Sequence, residues 1–204
     1  MTSRPIIPAD TKRVFIGIPV NGQSQKQINE LLKPIKHSSR PASPIAPTGE
    51  LPTLQDVRWV PEENRHLTLA FLGDKPVSEV RSLLELFDET YQRQTCFQYH
   101  LSLLTRFPDA KGRIIALTGD ATGPLEDLYN ITLDFLRANH VEFDRKRFRP
   151  HLTLGRIRKP KQVKTNFDRA VNISLDISSV RFYKSTFTQS GPIYQVLSEC
   201  RLMP

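Results

Sequence analysis

The sequence predicts an α+β protein built from two similar halves, and three observations support this prediction. The predicted elements run strand, helix, strand, and the same order then occurs a second time. The tetrad His-Leu-Thr-Leu occurs twice, at residues 66–69 and 151–154. Several connections between predicted strands are too short to hold a crossover helix, which favours antiparallel neighbours. A chain of 204 residues suits one domain, or two small lobes that share a core.

The first predicted elements follow from hydrophobic spacing and from turn residues. A segment rich in β-branched residues at 12–20 predicts a strand, and apolar residues at helical spacing predict a helix at 22–36. Four prolines among Ser, Thr and Ala then predict a long Pro-rich surface loop at 37–54. This loop is either inert or a lid over a site. Two strands follow, at 57–60 and 66–72.

The rest of the chain continues the same alternation of helices and strands. The remaining predictions, in chain order, are a helix at about 77–93, strands near 97–104 and 113–117 joined by a turn at 108–112, a helix at about 122–139, the second tetrad strand, and strand-like segments at 171–188 and 192–202.

Composition and charge narrow the class of protein. Lys and Arg number 29 against 21 Asp and Glu, a net charge of +8 that favours a polyanionic partner such as nucleic acid. The two cysteines, Cys96 and Cys200, form neither a C-x-x-C motif nor a zinc spacing, so a reducing cytoplasm is expected. Residues 1–10 lack the apolar core of a signal peptide, and no apolar run is long enough to span a membrane.

The repeated tetrad carries the chemistry. In a strand, His and Thr at positions i and i+2 share one face, and the two Leu share the other. Two such strands facing each other would bring together two imidazoles and two hydroxyls. Cleavage of a phosphodiester needs a base, an acid and hydrogen-bond donors to the phosphoryl oxygens, and it needs no metal when these groups supply the charge. One such tetrad is ordinarily a half-buried strand, but two identical copies favour a shared site.

Two flanking residues are less clear from spacing alone. Phe71 and Arg156 each lie five residues after the tetrad histidine, which places them on the opposite strand face unless a bulge intervenes. Arg156 could clamp phosphate and Phe71 could stack on a base, but strand aromatics are mostly core residues. The basic run at 145–149 is either solvated or in contact with RNA phosphates.

Four segments spread over nearly the whole chain resemble a known family. They are RVFIGIPV, VRWVPEENRHLTLAFLGD, FRPHLTLGRI and VRFYKSTFTQSGPIYQVL. In content and order they resemble the two-histidine phosphoesterases, and within these the RNA 2′,3′-cyclic phosphodiesterases, also called 2′-5′ RNA ligases. The stretch at 37–54 is longer and richer in proline than this resemblance leads one to expect.

The resemblance implies a fold, a reaction and roles for six residues. The expected fold is a single bilobal domain over 1–204, with two pseudo-symmetric lobes of antiparallel sheet, helices outside and a catalytic cleft between them. The implied reaction is hydrolysis of a terminal RNA 2′,3′-cyclic phosphate to a 2′-phosphate, without metal or cofactor. His66 would be the acid that protonates the leaving O3′, and His151 the base that activates water. The implied substrate contacts are Thr68, Thr153 and Arg156 to phosphate, and Phe71 to the base.

Other functions remain open from the sequence. A relative that opens the cyclic phosphate of a small nucleotide, such as that of ADP-ribose, would use the same residues. A non-catalytic RNA-binding module on the same scaffold would bind RNA without turnover. The reverse reaction would join RNA ends through a 2′-5′ bond, and we expect it only as a side activity because water competes with an RNA hydroxyl. We expect a monomer that acts on RNA ends or short oligonucleotides, away from membranes.

Overall fold

The structure, a computed structural model, describes residues 10–37, 57–143, 147–158, 168–189 and 191–204. These residues form an α+β fold, as the sequence predicts. The helices are α1 (Gly22–His37), α2 (Val77–Tyr91) and α3 (Pro124–Ala138). The strands are β1 (Thr11–Pro19), β2 (Val57–Trp59), β3 (His66–Pro76), β4 (Phe97–Phe107), β5 (Ile114–Thr118), β6 (His151–Ile157), β7 (Arg169–Ile177), β8 (Ser179–Thr188) and β9 (Gly191–Arg201).

Most sequence predictions match these elements to within a few residues. The tail segment predicted at 171–188 is two strands, β7 and β8, which are separated at Ser178. The predicted loop at 37–54 lies outside the described residues, except for His37, which ends α1. Of the basic run at 145–149, the structure describes residues 147–149.

All nine strands of the described residues belong to one antiparallel sheet with a mirrored order. Along the sheet the order is β7-β4-β5-β6-β3-β1-β8-β9, with β2 paired to β6 at one side. We call β1, β3, β8 and β9 the first half, and β2, β4, β5, β6 and β7 the second half. Counted outward from the centre, each half places its tetrad strand first and then the strand that precedes its helix. This confirms the predicted pair of similar antiparallel lobes.

The two halves meet where the tetrad strands touch. Strands β3 and β6 pair through one residue pair, Leu67 opposite Leu152. Both side chains are fully buried, and they join the core together with Leu69 and Leu154. Because side chains alternate along a strand, the histidines and threonines of both tetrads lie on the other face of the sheet.

The helices pack against the apolar face of the sheet. Helix α3 contacts β3 and α2, and α2 also contacts β1, β3 and β9. Helix α1 contacts β7 and buries Ile28, Leu32 and Ile35 in the core. Such periodic apolar spacing is the pattern that predicts these helices from sequence. Among the described helices, none is long and apolar enough to cross a membrane.

Candidate active site

The six residues selected from the sequence line one cavity of about 670 Å³. The cavity lies on the polar face of the sheet, over the contact between the tetrad strands. Its volume suits a ligand the size of a nucleotide. The sequence-selected lining residues are His66, Thr68, Phe71, His151, Thr153 and Arg156.

Because the two tetrad strands run antiparallel, the histidine of each tetrad lies opposite the threonine of the other. With Leu67 opposite Leu152, the strand direction brings His66 toward Thr153 and Thr68 toward His151. A phosphate placed over this contact between the strands would meet groups from both halves at once.

A shift of strand register places Phe71 and Arg156 on the same face of the sheet as the histidines, although their odd spacing alone would place them on the opposite face. The pairing of β3 with β1 skips Leu69, and the pairing of β6 with β5 skips Leu154. In both strands two consecutive residues are therefore buried, and the alternation restarts one residue later. Phe71 and Arg156 thus lie on the same strand face as the histidines, and the two halves achieve this in the same way.

Both histidines are held by the same backbone contact. Nδ1 of His66 lies 2.8 Å from the Asn64 carbonyl oxygen, and Nδ1 of His151 lies 2.9 Å from the Arg149 carbonyl oxygen. A carbonyl oxygen only accepts hydrogen bonds, so each Nδ1 carries the proton. In the neutral ring Nε2 then holds the lone pair, and it is the nitrogen left for a substrate.

His66 is enclosed by aromatic rings. Its ring centroid lies 4.7 Å from that of Phe15, 5.1 Å from that of Tyr194 and 5.8 Å from that of Tyr183. On the neighbouring strand, a Cβ at Gly17 would stand 2.9 Å from the Leu67 carbonyl oxygen and 3.5 Å from Cδ2 of the His66 ring. Glycine at this position therefore lets β1 and β3 approach and leaves room for the imidazole.

Enclosure sets the protonation state of His66. Burial lowers the pKa of His66 to about 4, and the positive charges of His151 and Arg156 act in the same direction. The hydrogen bond to the Asn64 carbonyl opposes this shift but does not cancel it. In the free protein at neutral pH, His66 is therefore an uncharged imidazole.

Among the described residues, His151 contacts one aromatic ring instead of three, and two arginines lower its pKa where one lowers that of His66. Its ring stacks on Phe107 with centroids 3.9 Å apart, and the Arg149 guanidinium carbon lies 4.8 Å from the centroid of the same Phe107 ring. Burial lowers the pKa of His151, and the charges of Arg149 and Arg156 lower it further, against the hydrogen bond to the Arg149 carbonyl. The larger shift belongs to His66, the more enclosed ring.

Thr68, Thr153 and Arg156 offer hydrogen-bond donors to the cavity. Within the described part of the chain, the hydroxyls of Thr68 and Thr153 have no hydrogen-bond partner, and Arg156 has no ion pair. The described lining residues include three arginines and no Asp or Glu. In the same part of the chain, His, Cys, Asp and Glu form no group of three or more that could hold a metal ion. The donor set suits an anion such as phosphate.

Sequence reasoning missed several lining residues because they come from distant strands. Phe15 and Tyr194 line the cavity from β1 and β9, and Arg58 lines it from β2. Phe107 supports His151 from the end of β4. None of these lies in a tetrad, and only the strand order of the sheet brings them to it. The resemblance covers the segments of Phe15, Arg58 and Tyr194, and this was the one available signal.

Known proteins of similar sequence carry a consistent name. The chain is 28% identical over 196 residues to an RNA 2′,3′-cyclic phosphodiesterase of Thermotoga maritima, which covers 93% of this chain and 95% of that protein. It is 26% identical over 162 residues to an RNA 2′,3′-cyclic phosphodiesterase of Methanocaldococcus jannaschii, covering 76% of this chain and 90% of that protein.

A solved structure and a family profile complete the comparison. The fold is similar to that of Escherichia coli LigT complexed with 3′-AMP, with a TM-score of 0.72 and 22% identity, over 96% of this chain and all of that one. Residues 48–186 match the profile of the 2′-5′ RNA ligase superfamily. This match covers more than half of the sequence and both tetrads, and the chain therefore belongs to the 2′-5′ RNA ligase superfamily.

Proposed function

We propose that this protein hydrolyses the 2′,3′-cyclic phosphate at RNA ends to a 2′-phosphate by acid–base catalysis with two histidines. The observation that carries the proposal is the pair of imidazoles in one cavity, each held at Nδ1 by a backbone carbonyl and each leaving Nε2 to a substrate. The name shared by the curated relatives supports the same substrate. The net charge of +8 favours an RNA end over an uncharged ligand.

In the proposed reaction, Nε2 of His151 takes a proton from water while the water oxygen attacks phosphorus. The bond from phosphorus to O3′ breaks, and the protonated Nε2 of His66 gives its proton to O3′. This assignment of roles follows the resemblance to the two-histidine phosphoesterases. It requires the proton on His66, although burial lowers the pKa of that ring to about 4 in the free protein.

His66 must be protonated before it can act as the acid. In the free protein its pKa of about 4 leaves it neutral at pH 7. A bound phosphate anion favours the charged imidazole, because an opposite charge within a few ångströms raises the pKa of a histidine. Substrate binding therefore recruits the catalytic proton in this scheme.

Four further side chains would bind the substrate. Thr68 and Thr153 donate hydrogen bonds to the non-bridging oxygens, and Arg156 adds a charge-assisted contact to the same phosphate. Phe71 lines the cavity and is 43% exposed, with the Arg13 guanidinium carbon 5.4 Å from its ring centroid, and in this scheme its ring stacks on the nucleobase. We propose a monomer as the active form, since both tetrads and Arg156 belong to the same chain.

The test is turnover of a short RNA that ends in a 2′,3′-cyclic phosphate, in excess chelator, with the position of the product phosphate determined by chromatography. We expect wild type to produce the 2′-phosphate and His66→Ala and His151→Ala to lose about a hundredfold or more in kcat. His100→Ala is the matched control, because His100 is exposed on β4 outside the cavity.

Each other outcome supports a different reading of the site. Activity that vanishes in chelator would contradict the metal-independent mechanism. Turnover of small cyclic nucleotides but not of RNA ends would favour a small-nucleotide phosphodiesterase. RNA binding without turnover, unchanged in His66→Ala, would favour a non-catalytic binding module.

A further inference from the structure

Arg58 is a second guanidinium in the cavity, beside Arg156. In the antiparallel pairing of β2 with β6, Arg58 lies directly opposite Arg156. Residues directly opposite each other on antiparallel strands share a face of the sheet, and their Cβ atoms lie about 5 Å apart. Both side chains line the same cavity. The two positive groups therefore approach any ligand from neighbouring strands.

The Arg58 side chain reaches across to the other half of the molecule. A Cβ atom at Gly191, the first residue of β9, would fall 2.1 Å from Nη2 of Arg58. Gly191 also has φ of +125°, a backbone conformation that side chains with a Cβ rarely adopt. Glycine is thus required twice here, and its missing side chain leaves the space that the guanidinium occupies at the cavity mouth.

The charges of the cavity exceed what one cyclic phosphate can match. The described lining contains Arg13, Arg58 and Arg156 and no carboxylate. Arg13 has a partner, since its Nη2 lies 3.9 Å from Oδ2 of Asp74. Among the described residues, neither Arg58 nor Arg156 has an ion pair. Like charges directly opposite on two strands destabilise the protein unless an anion offsets them.

A phosphodiester carries one negative charge, and the proposed mechanism already assigns Arg156 to the cyclic phosphate. In an RNA end the next negative charge along the strand is the phosphodiester on O5′ of the terminal nucleoside. A mononucleoside 2′,3′-cyclic phosphate lacks this group. A guanidinium that met this second charge would distinguish an oligonucleotide end from a free nucleotide.

We propose that Arg58 binds the phosphodiester on O5′ of the terminal nucleoside and thereby makes the site selective for RNA strands over mononucleotides. This inference rests on the proposed function, since it takes the cyclic phosphate to lie between the histidines. Arg58 is a specificity-determining residue in this scheme and takes no part in proton transfer.

The experiment compares two substrates with the same cyclic end: a nucleoside 2′,3′-cyclic phosphate and a dinucleotide with one internal phosphodiester. We expect Arg58→Gln to lower kcat/KM for the dinucleotide about ten- to hundredfold, the range for loss of one charge-assisted contact, and at least tenfold more than for the mononucleotide. Arg81→Gln is the matched control, because Arg81 is exposed on α2 and the variant makes the same change in net charge.

A third substrate tests whether Arg58 recognises the negative charge of the internal phosphodiester. With an uncharged methylphosphonate in place of the internal phosphodiester, wild type should fall to the level of Arg58→Gln on the natural dinucleotide. Equal losses on the mononucleotide and the dinucleotide in Arg58→Gln would overturn the proposal, because they would place Arg58 on the cyclic phosphate itself. Arg58→Lys, which keeps the charge, should recover part of the dinucleotide preference.

Binding separates failure of this inference from failure of the proposed reaction. A dinucleotide with a terminal 2′-phosphate should bind wild type more tightly than a nucleoside 2′-phosphate, as measured by calorimetry. In Arg58→Gln the plot of log Kd against log salt for the dinucleotide should lose about 0.7 of slope, the value for one phosphate contact on a single strand. These measurements need no turnover. An unchanged slope would overturn the role of Arg58 whether or not the protein is a phosphodiesterase.

Discussion

The two halves bring the same motif to the cavity in different surroundings. In the first half, His66 is enclosed by Phe15, Tyr183 and Tyr194, and the residue five positions later is an aromatic ring. In the second half, His151 stacks on one ring, and the residue five positions later is Arg156. The first half therefore encloses its histidine in aromatic rings, and the second half supplies the two cavity arginines that have no ion pair among the described residues, Arg58 and Arg156.

What the halves share is equally informative. Each tetrad ends on a Leu that the neighbouring strand skips, and each histidine bonds the carbonyl two residues before it. Backbone geometry is thus duplicated, whereas proton affinity and substrate contacts differ. A common strand geometry can support two chemical roles when the neighbouring strands supply different side chains.

The largest expected effect that tests this comparison comes from Arg156. We predict that Arg156→Gln lowers kcat/KM by about a hundred- to a thousandfold for an RNA that ends in a 2′,3′-cyclic phosphate. The reason is that a donor aimed at the developing charge on phosphate is lost. Steady-state kinetics measure this loss, and Arg156→Lys should recover part of it. A loss below threefold in Arg156→Gln would show that the second half does not supply the phosphate charge.

The two histidines should differ in proton affinity by amounts that NMR can resolve. In the free protein we predict an imidazole pKa of about 4 for His66 and a less strongly lowered pKa for His151, because the first ring is more enclosed. A bound nucleoside 2′-phosphate should raise the pKa of both rings. Equal pKa values for the two rings in the free protein would contradict the difference between the halves.

The same shift predicts how stability changes with pH. The pKa of His66 in the folded protein lies below the usual 6.5, so the unfolded chain binds the proton more readily. The free energy of unfolding should fall as the pH drops from about 6.5 toward 4, by up to about 3 kcal/mol, and then level off. The difference in free energy of unfolding between wild type and His66→Gln, measured by denaturant unfolding, should change over this pH range and stay constant outside it.

The smallest effect should come from the aromatic residue of the first half. We predict that Phe71→Ala raises KM about five- to tenfold for a linear dinucleotide that ends in a 2′,3′-cyclic phosphate. We expect little change in kcat, since stacking of one base contributes on the order of 1 kcal/mol. Phe71→Tyr, which keeps the ring, serves as the control in the same kinetic assay. A fall in kcat with unchanged KM would argue against a stacking role.

Local patterns were sufficient to predict much of this molecule. Apolar spacing predicted the helices, and the repeated tetrad predicted which strands carry the histidines. Spacing alone could not decide the positions of Phe71 and Arg156, because the shifts at Leu69 and Leu154 have no mark in the amino acids of a single sequence.

Contacts between distant strands were the part that could not be predicted from spacing. Tyr194 reaches His66, and Phe107 reaches His151, only because the sheet places β9 and β4 near the tetrad strands. Arg58 faces Arg156 through the pairing of a three-residue strand, which is too short to show its own alternation. Such pairs depend on the three-dimensional order of the strands and not on local propensity.

The placement of the helices has a consequence for cooperativity of folding. Helix α1 follows a strand of the first half but packs on β7 of the second, where Oγ of Ser24 donates to the Ser174 carbonyl at 2.8 Å. Helix α3 follows a strand of the second half but packs on β3 of the first. Each lobe thus completes the core of the other, and we expect the protein to melt in a single transition, with neither lobe persisting alone.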